Sequence, residues 1–298
     1  MRARIRRRQR IRRITIIVVV VVIAVSLVVG VYFALNNGSP YAKLVGKAVT
    51  PTDLGYLTGV SNSTLAAVGV PSGVISPATI SGSTLTLNGK PEILYIGGDY
   101  CPYCAIERWS LIIALSRFGQ FSGLTYMLSS STDVNANSPT FSFSNATYTS
   151  SRIAFVGVEE YGSDPTVVVQ PLTTTQQSLI SQYDTCSANG QSGGIPFIDI
   201  ANKYAINCGA QSVLDISNKN WTDITTVLDT PGNNIAQLID GAANTLISAI
   251  CNVTGQTTYP CNQPYANTAY FNSGVSARSS LESYIVAPAS RPAGDRPA

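Results

Sequence analysis

Histidine is absent from this chain of 298 residues. Its absence excludes Ser-His-Asp and Cys-His catalysis, as well as any histidine-ligated metal centre. The sequence also lacks a glycine-rich phosphate loop ending in Lys-Ser or Lys-Thr, so this nucleotide-binding signature is missing. Charged residues are scarce, at 12% of the chain, whereas 45% of the residues are hydrophobic. We therefore expect a sizeable buried core in a protein whose chemistry does not depend on histidine.

Positive charge is concentrated at the N-terminus. Eight of the 19 basic residues are arginines within residues 1–13, and the rest of the chain holds 11 basic against 16 acidic residues, a net charge of −5. The basic character is thus a property of a short tail over residues 1–13. It gives no reason to expect a nucleic-acid partner for the body of the protein.

Ile14 to Leu35 contains no charged residue and is rich in valine and isoleucine. A helix of this length spans the hydrocarbon core of a bilayer. Because arginines flank only its N-terminal side, the sequence predicts a single-pass membrane anchor over residues 14–35, with the N-terminus cytoplasmic and the body extracytoplasmic. A cleaved signal peptide is the alternative, since it shares the basic start.

Six cysteines and five Asn-X-Ser/Thr sequons follow the predicted anchor. Both features suit an exported chain, in which disulfides persist and sequons accept glycans. The glycosylation candidates are Asn37, Asn62, Asn145, Asn220 and Asn252. Cys251 and Cys261 flank a short loop, and Cys186 and Cys208 bracket a predicted strand and hairpin, so these four are predicted to form structural disulfides. Four cysteines allow three pairings, and a Cys186–Cys208 redox shuttle is an alternative.

The body of the chain reads as an α/β domain. Residues 36–90 form a linker or a small N-terminal extension, 91–286 the main domain and 287–298 a disordered tail rich in Pro, Ala and Arg. A strand at Ile93–Gly97, a helix at Ala105–Phe118 and a strand at Leu124–Leu128 predict a β–α–β unit with parallel strands. Ser129–Ser151 is polar and predicts a surface insertion. Further elements are predicted at Thr175–Tyr183 (helix), Gly193–Ile200 and Tyr204–Asn207 (hairpin), and 221–228 and Asn234–Ile250 (helices).

Cys101-Pro102-Tyr103-Cys104 lies where the first strand turns into the helix. Unpaired N–H groups and the helix dipole stabilise an anion there, so Cys101 is the expected nucleophile and Cys104 the resolving thiol of a thiol–disulfide exchange. A structural bridge or a metal half-site is the alternative. Zinc, however, requires a second Cys pair or His ligands, and we expect no metal and no cofactor.

Three charged residues lie close to this motif. Asp99 either opposes the thiolate, accepts a proton from Cys104, or is an exposed turn residue. Glu107 and Arg108 fall one turn into the helix and are expected to form a solvated surface pair.

The Cys-Pro-Tyr-Cys motif, followed later by Gly194-Ile195-Pro196-Phe197-Ile198, resembles the thioredoxin superfamily over roughly residues 91–250. The whole chain is also similar to a crenarchaeal family of membrane-anchored proteins with a thioredoxin-like domain. The resemblance implies a mixed central sheet with flanking helices, behind one N-terminal transmembrane helix. It also implies a cis Ile195–Pro196 bond facing the cysteines, with Ile195, Pro196, Pro102 and Tyr103 contacting substrate.

Together these features predict an extracytoplasmic, membrane-tethered thiol–disulfide oxidoreductase that acts on the thiols or disulfides of exported proteins. A redox partner that the sequence does not identify would recycle the cysteine pair. The alternative is a catalytically silent binding or structural module of the cell envelope that keeps the same fold.

Overall fold

The computed structural model describes residues 15–16, 18–28, 41–188, 191–192, 194–210 and 216–267. The chain divides into two compact units, Met1–Pro40 and Tyr41–Ala298. In the first unit, residues 15–16 and 18–28 are helical. No helix within the described residues is both long enough and apolar enough to cross a membrane. The other positions of the predicted anchor over 14–35, together with the basic tail, Asn37 and the 287–298 tail, lie outside the described residues.

The second unit contains short and long helices separated by strands. The helices are α1 (Pro51–Thr58), α2 (Asn62–Val68), α3 (Pro102–Leu115), α4 (Thr174–Tyr183), α5 (Trp221–Thr225) and α6 (Asn234–Thr254), with 3₁₀ turns at Ala42–Leu44 and Pro264–Asn267. The strands are β1 (Ala78–Thr79), β2 (Thr86–Leu87), β3 (Lys90–Gly98), β4 (Gln120–Ser122), β5 (Thr125–Leu128), β6 (Pro139–Ser142), β7 (Thr147–Thr149), β8 (Ala154–Tyr161), β9 (Ser187–Ala188), β10 (Gln191–Ser192), β11 (Phe197–Ile200) and β12 (Tyr204–Asn207).

The central sheet is mixed. Its strands run in the order β1-β12-β11-β3-β2, and β8 also pairs with β3. The β3–β8 pair is parallel, with Ile93 opposite Phe155, whereas β11 lies antiparallel to both β3 and β12. The predicted hairpin of β11 and β12 is confirmed. This mixed central sheet, together with the helices that flank it, confirms the predicted α/β class of the fold.

The predicted parallel partner of β3 is wrong. The segment at Leu124–Leu128 becomes β5, which pairs antiparallel with β6 in a separate two-stranded sheet. The strand that lies parallel to β3 is β8, which follows much later in the chain. Apolar character marks a buried strand but does not choose its partner, because that choice depends on contacts distant in sequence.

The predicted surface insertion at Ser129–Ser151 is wrong in its centre, because every residue of β6 is buried. Phe141 packs against Trp109 with 4.7 Å between ring centroids. The Thr140 hydroxyl donates to the Ala105 carbonyl at 2.7 Å, and the Trp109 indole donates to the Pro139 carbonyl at 2.9 Å. Hydrogen bonds to backbone carbonyls let a serine- and threonine-rich segment enter the core without unpaired polar groups.

Helices cover both faces of the central sheet. On one face α3 packs against α6, and α1 and α2 pack on α3 and α6 respectively, so residues from Tyr41 onward belong to one compact unit. On the other face Leu179 and Ile180 of α4 pack with Leu94 and Ile96 of β3. Every residue of α3 is buried. The helix that carries the cysteines is therefore enclosed by the core and has no solvent face.

Candidate functional site

Cys101 caps the N-terminus of α3. Its Sγ accepts a hydrogen bond from the backbone N–H of Cys104 at 3.2 Å, and Pro102 occupies the first helical position. Proline suits that position because its missing N–H would have no intrahelical partner. The helix thus begins three residues before the predicted start at Ala105. This places the Cys101 sulfur among the unpaired N–H groups of the first turn.

Strand β11 brings a second segment against Cys101. Because β11 pairs with β3, the residues just before it lie beside the end of the strand that leads to the cysteines. The Cys101 thiol donates to the backbone carbonyl of Ile195, with 3.8 Å between sulfur and oxygen. The Ile195–Pro196 peptide bond is cis, as predicted. Ile195 therefore forms a wall of the cysteine site.

Cys101 and Cys104 are both free thiols, and neither exposes any of its surface. Burial raises the pKa of the Cys104 thiol well above its usual value, because the thiolate is poorly solvated there; the positive charge of Arg108 opposes this rise. Tyr103 is 6% exposed, and burial together with the nearby Cys101 raises its pKa to about 12. Pro102 is buried as well. The structure thus places the predicted substrate-contact residues of the motif beneath the surface.

The prediction of a solvated Glu107–Arg108 pair is wrong, since both side chains are buried and do not pair with each other. Arg108 instead forms a bidentate ion pair with Glu159 of β8, with Nε–Oε1 at 2.8 Å and Nη2–Oε2 at 2.5 Å. Its Nη2 also donates to the Gly98 carbonyl at 2.8 Å. Arg108 thereby joins the cysteine helix to the two parallel strands below it.

Asp99 lies beside the Arg108–Glu159 ion pair, and these three residues form a buried charge cluster. It is 8% exposed, and its Oδ1 lies 3.7 Å from Arg108 Nη2. Burial, reinforced by the negative charge of Glu159, raises the pKa of Asp99 to about 7, while the Arg108 charge opposes the rise. The alternative of an exposed turn residue is therefore wrong. The Asp99 carboxyl therefore titrates near neutral pH. It lies beside Arg108, which is one helical turn from Cys104.

Glu107 faces a different part of the molecule. Its Oε2 accepts the backbone N–H of Ala210 at 2.7 Å, and its side chain is fully enclosed. Burial raises the pKa of this carboxyl to about 7, and the Ala210 hydrogen bond opposes the rise. Glu107 thus connects α3 to the segment that follows β12.

One sequence feature indicates that these charged residues are buried. Within α3, from Pro102 to Leu115, Glu107 and Arg108 are the two charged side chains. A helix that is apolar around its whole circumference is buried, and charges within it need buried partners. Glu159, the partner of Arg108, lies near the end of the largely apolar strand β8, and no sequence signal marks it as that partner.

The other four cysteines form disulfides as predicted, and the structure resolves which of the three possible pairings is made. Cys186 is bonded to Cys208 and Cys251 to Cys261, with Cα–Cα distances of 5.6 and 5.4 Å. Among the sequons, Asn62, Asn145 and Asn252 are exposed and Asn220 is partly buried. Within the described residues, no group of three or more Cys, Asp or Glu side chains is arranged to hold a metal ion.

These observations define a mixed α/β domain with a buried, helix-capping dithiol above a charge cluster. The family described as Domain of unknown function (DUF929) matches residues 76–252, which is more than half of the chain. The chain belongs to that family. No curated protein and no solved structure matches it.

Proposed function

We propose that this protein carries out thiol–disulfide exchange through Cys101 and Cys104. One observation carries the proposal: of six cysteines, four are paired in disulfides, and the two free ones share a helix N-terminus. A helix N-terminus stabilises a thiolate, and the attacking species in disulfide exchange is a thiolate. The spacing of one helical turn lets the second sulfur reach the first.

The exchange balances with these two sulfurs alone. The Cys101 thiolate attacks one sulfur of a client disulfide, a new S–S bond forms, and the other client sulfur leaves as a thiolate. Cys104 then loses its proton and attacks Cys101, which releases the second client thiolate and closes the Cys101–Cys104 disulfide. Two electrons pass to the client, and the reverse sequence oxidises a client dithiol.

Arg108 supports the second step of this exchange. It lies one turn beyond Cys104 on α3, and its positive charge lowers the otherwise high pKa of the Cys104 thiol. Asp99, 3.7 Å from Arg108, is a modulating residue in this proposal. Because the pKa of Asp99 is about 7, its charge changes near neutral pH, and with it the electrostatic environment of Arg108.

The topology supports a thioredoxin-like assignment for the domain. The spatial order β8-β3-β11-β12 places a parallel pair beside an antiparallel hairpin, with α3 and α6 on one face and α4 on the other. The cysteine motif follows β3, and Ile195-Pro196 precedes β11, so the two meet at one end of the sheet. Both features agree with the resemblance drawn from the motifs.

We place the activity outside the cytoplasm and at a membrane, with exported proteins as clients. The one-sided arginines before the apolar run over 14–35, two disulfides and exposed sequons such as Asn145 support this location. The helical residues 18–28 belong to that apolar run.

A refolding assay with the full chain tests the proposed exchange activity. A reporter protein with scrambled disulfides is incubated in a glutathione buffer, with the wild-type chain or Cys101→Ser. We expect the wild type to accelerate recovery of the native reporter and Cys101→Ser to return it to the uncatalysed rate. Equal rates for the two proteins would overturn the proposal.

A second candidate function is a binding module that keeps the fold without turnover. The observation in its favour is that Cys101 and Cys104 expose no surface, so a client sulfur reaches Cys101 only after its surroundings move. For this candidate we expect no acceleration in the refolding assay, together with stable capture of another envelope protein.

A further inference from the structure

The loop Gly194-Ile195-Pro196 is held on both sides by the two halves of one disulfide. The Gly194 N–H donates to the Cys186 carbonyl at 3.2 Å, and the Cys208 N–H donates to the Pro196 carbonyl at 2.9 Å. Cys186 and Cys208 are bonded to each other. The disulfide therefore closes a ring of contacts around the three-residue loop that faces Cys101.

The loop also packs directly on the disulfide. Gly194 is buried, and a Cβ at this position would lie 2.4 Å from the sulfur of Cys186. On its other side the loop presents the Ile195 carbonyl to Cys101 at 3.8 Å. The disulfide and the nucleophile thus contact one short loop from two sides.

The segment after Cys208 is fixed to the cysteine helix. Ala210 donates its N–H to Glu107 of α3 at 2.7 Å, and a Cβ at Gly209 would lie 3.8 Å from Cγ of Pro196. The loop is consequently positioned relative to α3 along two routes. One is the pairing of β11 with β3, and the other runs from Pro196 through Cys208 and Ala210 to Glu107.

We propose that Cys186–Cys208 is a positioning disulfide for the reaction, and this inference rests on the proposed exchange function. The loop is buried, so a client reaches it only after the surroundings of Cys101 move. By fixing the Ile195 backbone beside Cys101, the disulfide keeps this wall of the site in place for an extended, cysteine-containing segment of a client polypeptide that binds through main-chain contacts. Ordering the loop in advance removes an entropic cost from client binding. A client with no polypeptide to hold gains nothing from the disulfide.

The test compares two clients in single-turnover exchange, with the Cys101–Cys104 pair of the full chain oxidised at the start. One client is an extended peptide with two cysteines, and the other is 2-mercaptoethanol. Transfer is followed by alkylation and mass spectrometry at Cys101 and Cys104. For Cys186→Ser/Cys208→Ser, we expect the peptide concentration at half-maximal rate to rise about tenfold, whereas the rate with 2-mercaptoethanol changes by less than about twofold.

The matched control is Cys251→Ser/Cys261→Ser, which removes the other disulfide, at the end of α6. We expect it to change neither client's exchange by more than about twofold. A second variant, Gly194→Ala, keeps the cross-link but forces the loop away from Cys186, since the added Cβ would overlap the sulfur. It should reproduce the peptide-specific loss, while Gly55→Ala, whose Cβ meets no atom within 4 Å, should not.

Gly194→Ala decides the question if Cys186→Ser/Cys208→Ser does not fold. Equal losses with both clients, or no loss with either, would overturn the positioning role while leaving the exchange function intact. A wild-type chain that reacts with neither client would overturn the exchange function, and the inference with it.

Discussion

Cys104→Ser is expected to stop the exchange halfway and to accumulate a covalent complex with the client. Cys101 still attacks the client disulfide, but no second thiolate one turn along α3 is present to release it. Turnover in the refolding assay should fall on the order of 100-fold, while a mixed disulfide through Cys101 builds up. The complex is detected on non-reducing gels and by mass spectrometry.

Two controls give this result its meaning. The double variant Cys101→Ser/Cys104→Ser should form no complex, and Cys251→Ser/Cys261→Ser should keep wild-type turnover because it leaves both free thiols in place. A Cys104→Ser chain that turns over at the wild-type rate would remove Cys104 from the mechanism. A complex that forms through a cysteine other than Cys101 would assign the nucleophile elsewhere.

Arg108→Met is expected to lower the free energy of unfolding by about 3–5 kcal/mol. The substitution leaves the carboxylate of Glu159 buried with no opposing charge, since Arg108 supplies both hydrogen bonds of the bidentate pair. It also removes the donor to the Gly98 carbonyl. Urea denaturation followed by tryptophan fluorescence measures the loss, because Trp109 and Trp221 are both fully buried.

The charge argument predicts a partial rescue. Arg108→Met/Glu159→Gln carries neither charge, so it should recover part of the stability that Arg108→Met loses. Lys219→Met, an exposed position, serves as the control for losing one positive charge and should change the unfolding free energy by less than about 0.5 kcal/mol. If Arg108→Met is no less stable than Lys219→Met, the buried pair does not contribute as described.

Local sequence predicted the part of the site that depends on neighbouring residues. The sequence predicts the Cys-Pro-Tyr-Cys motif at the junction of a strand and a helix, and α3 begins there at Pro102, three residues before the predicted Ala105. The β11–β12 hairpin is also predicted from neighbouring residues, since two strand-like runs flank the turn at 201–203. The position of Ile195-Pro196 opposite the cysteines is an implication of the resemblance to the thioredoxin superfamily, and no local sequence pattern predicts it.

The sequence does not predict which segments, distant from each other along the chain, come into contact. Nothing in the run at Leu124–Leu128 distinguishes a strand beside β3 from one that pairs with β6. The polar residues around β6 favour a surface segment, although β6 itself is buried. The sequence predicts Arg108 at the surface, because charged residues usually lie there. Its burial depends on Glu159, which lies 51 residues later in the chain.

The central claim is that Cys101 and Cys104 interconvert between dithiol and disulfide while the other two disulfides stay closed. The most direct measurement is a redox titration of the full, folded chain in glutathione buffers, with the state of each cysteine read by alkylation and mass spectrometry. We predict a reversible two-electron transition of the Cys101–Cys104 pair between about −120 and −270 mV, with Cys186–Cys208 and Cys251–Cys261 unchanged. A pair that stays reduced or stays oxidised across the whole range, or that changes only when the chain unfolds, would contradict the account.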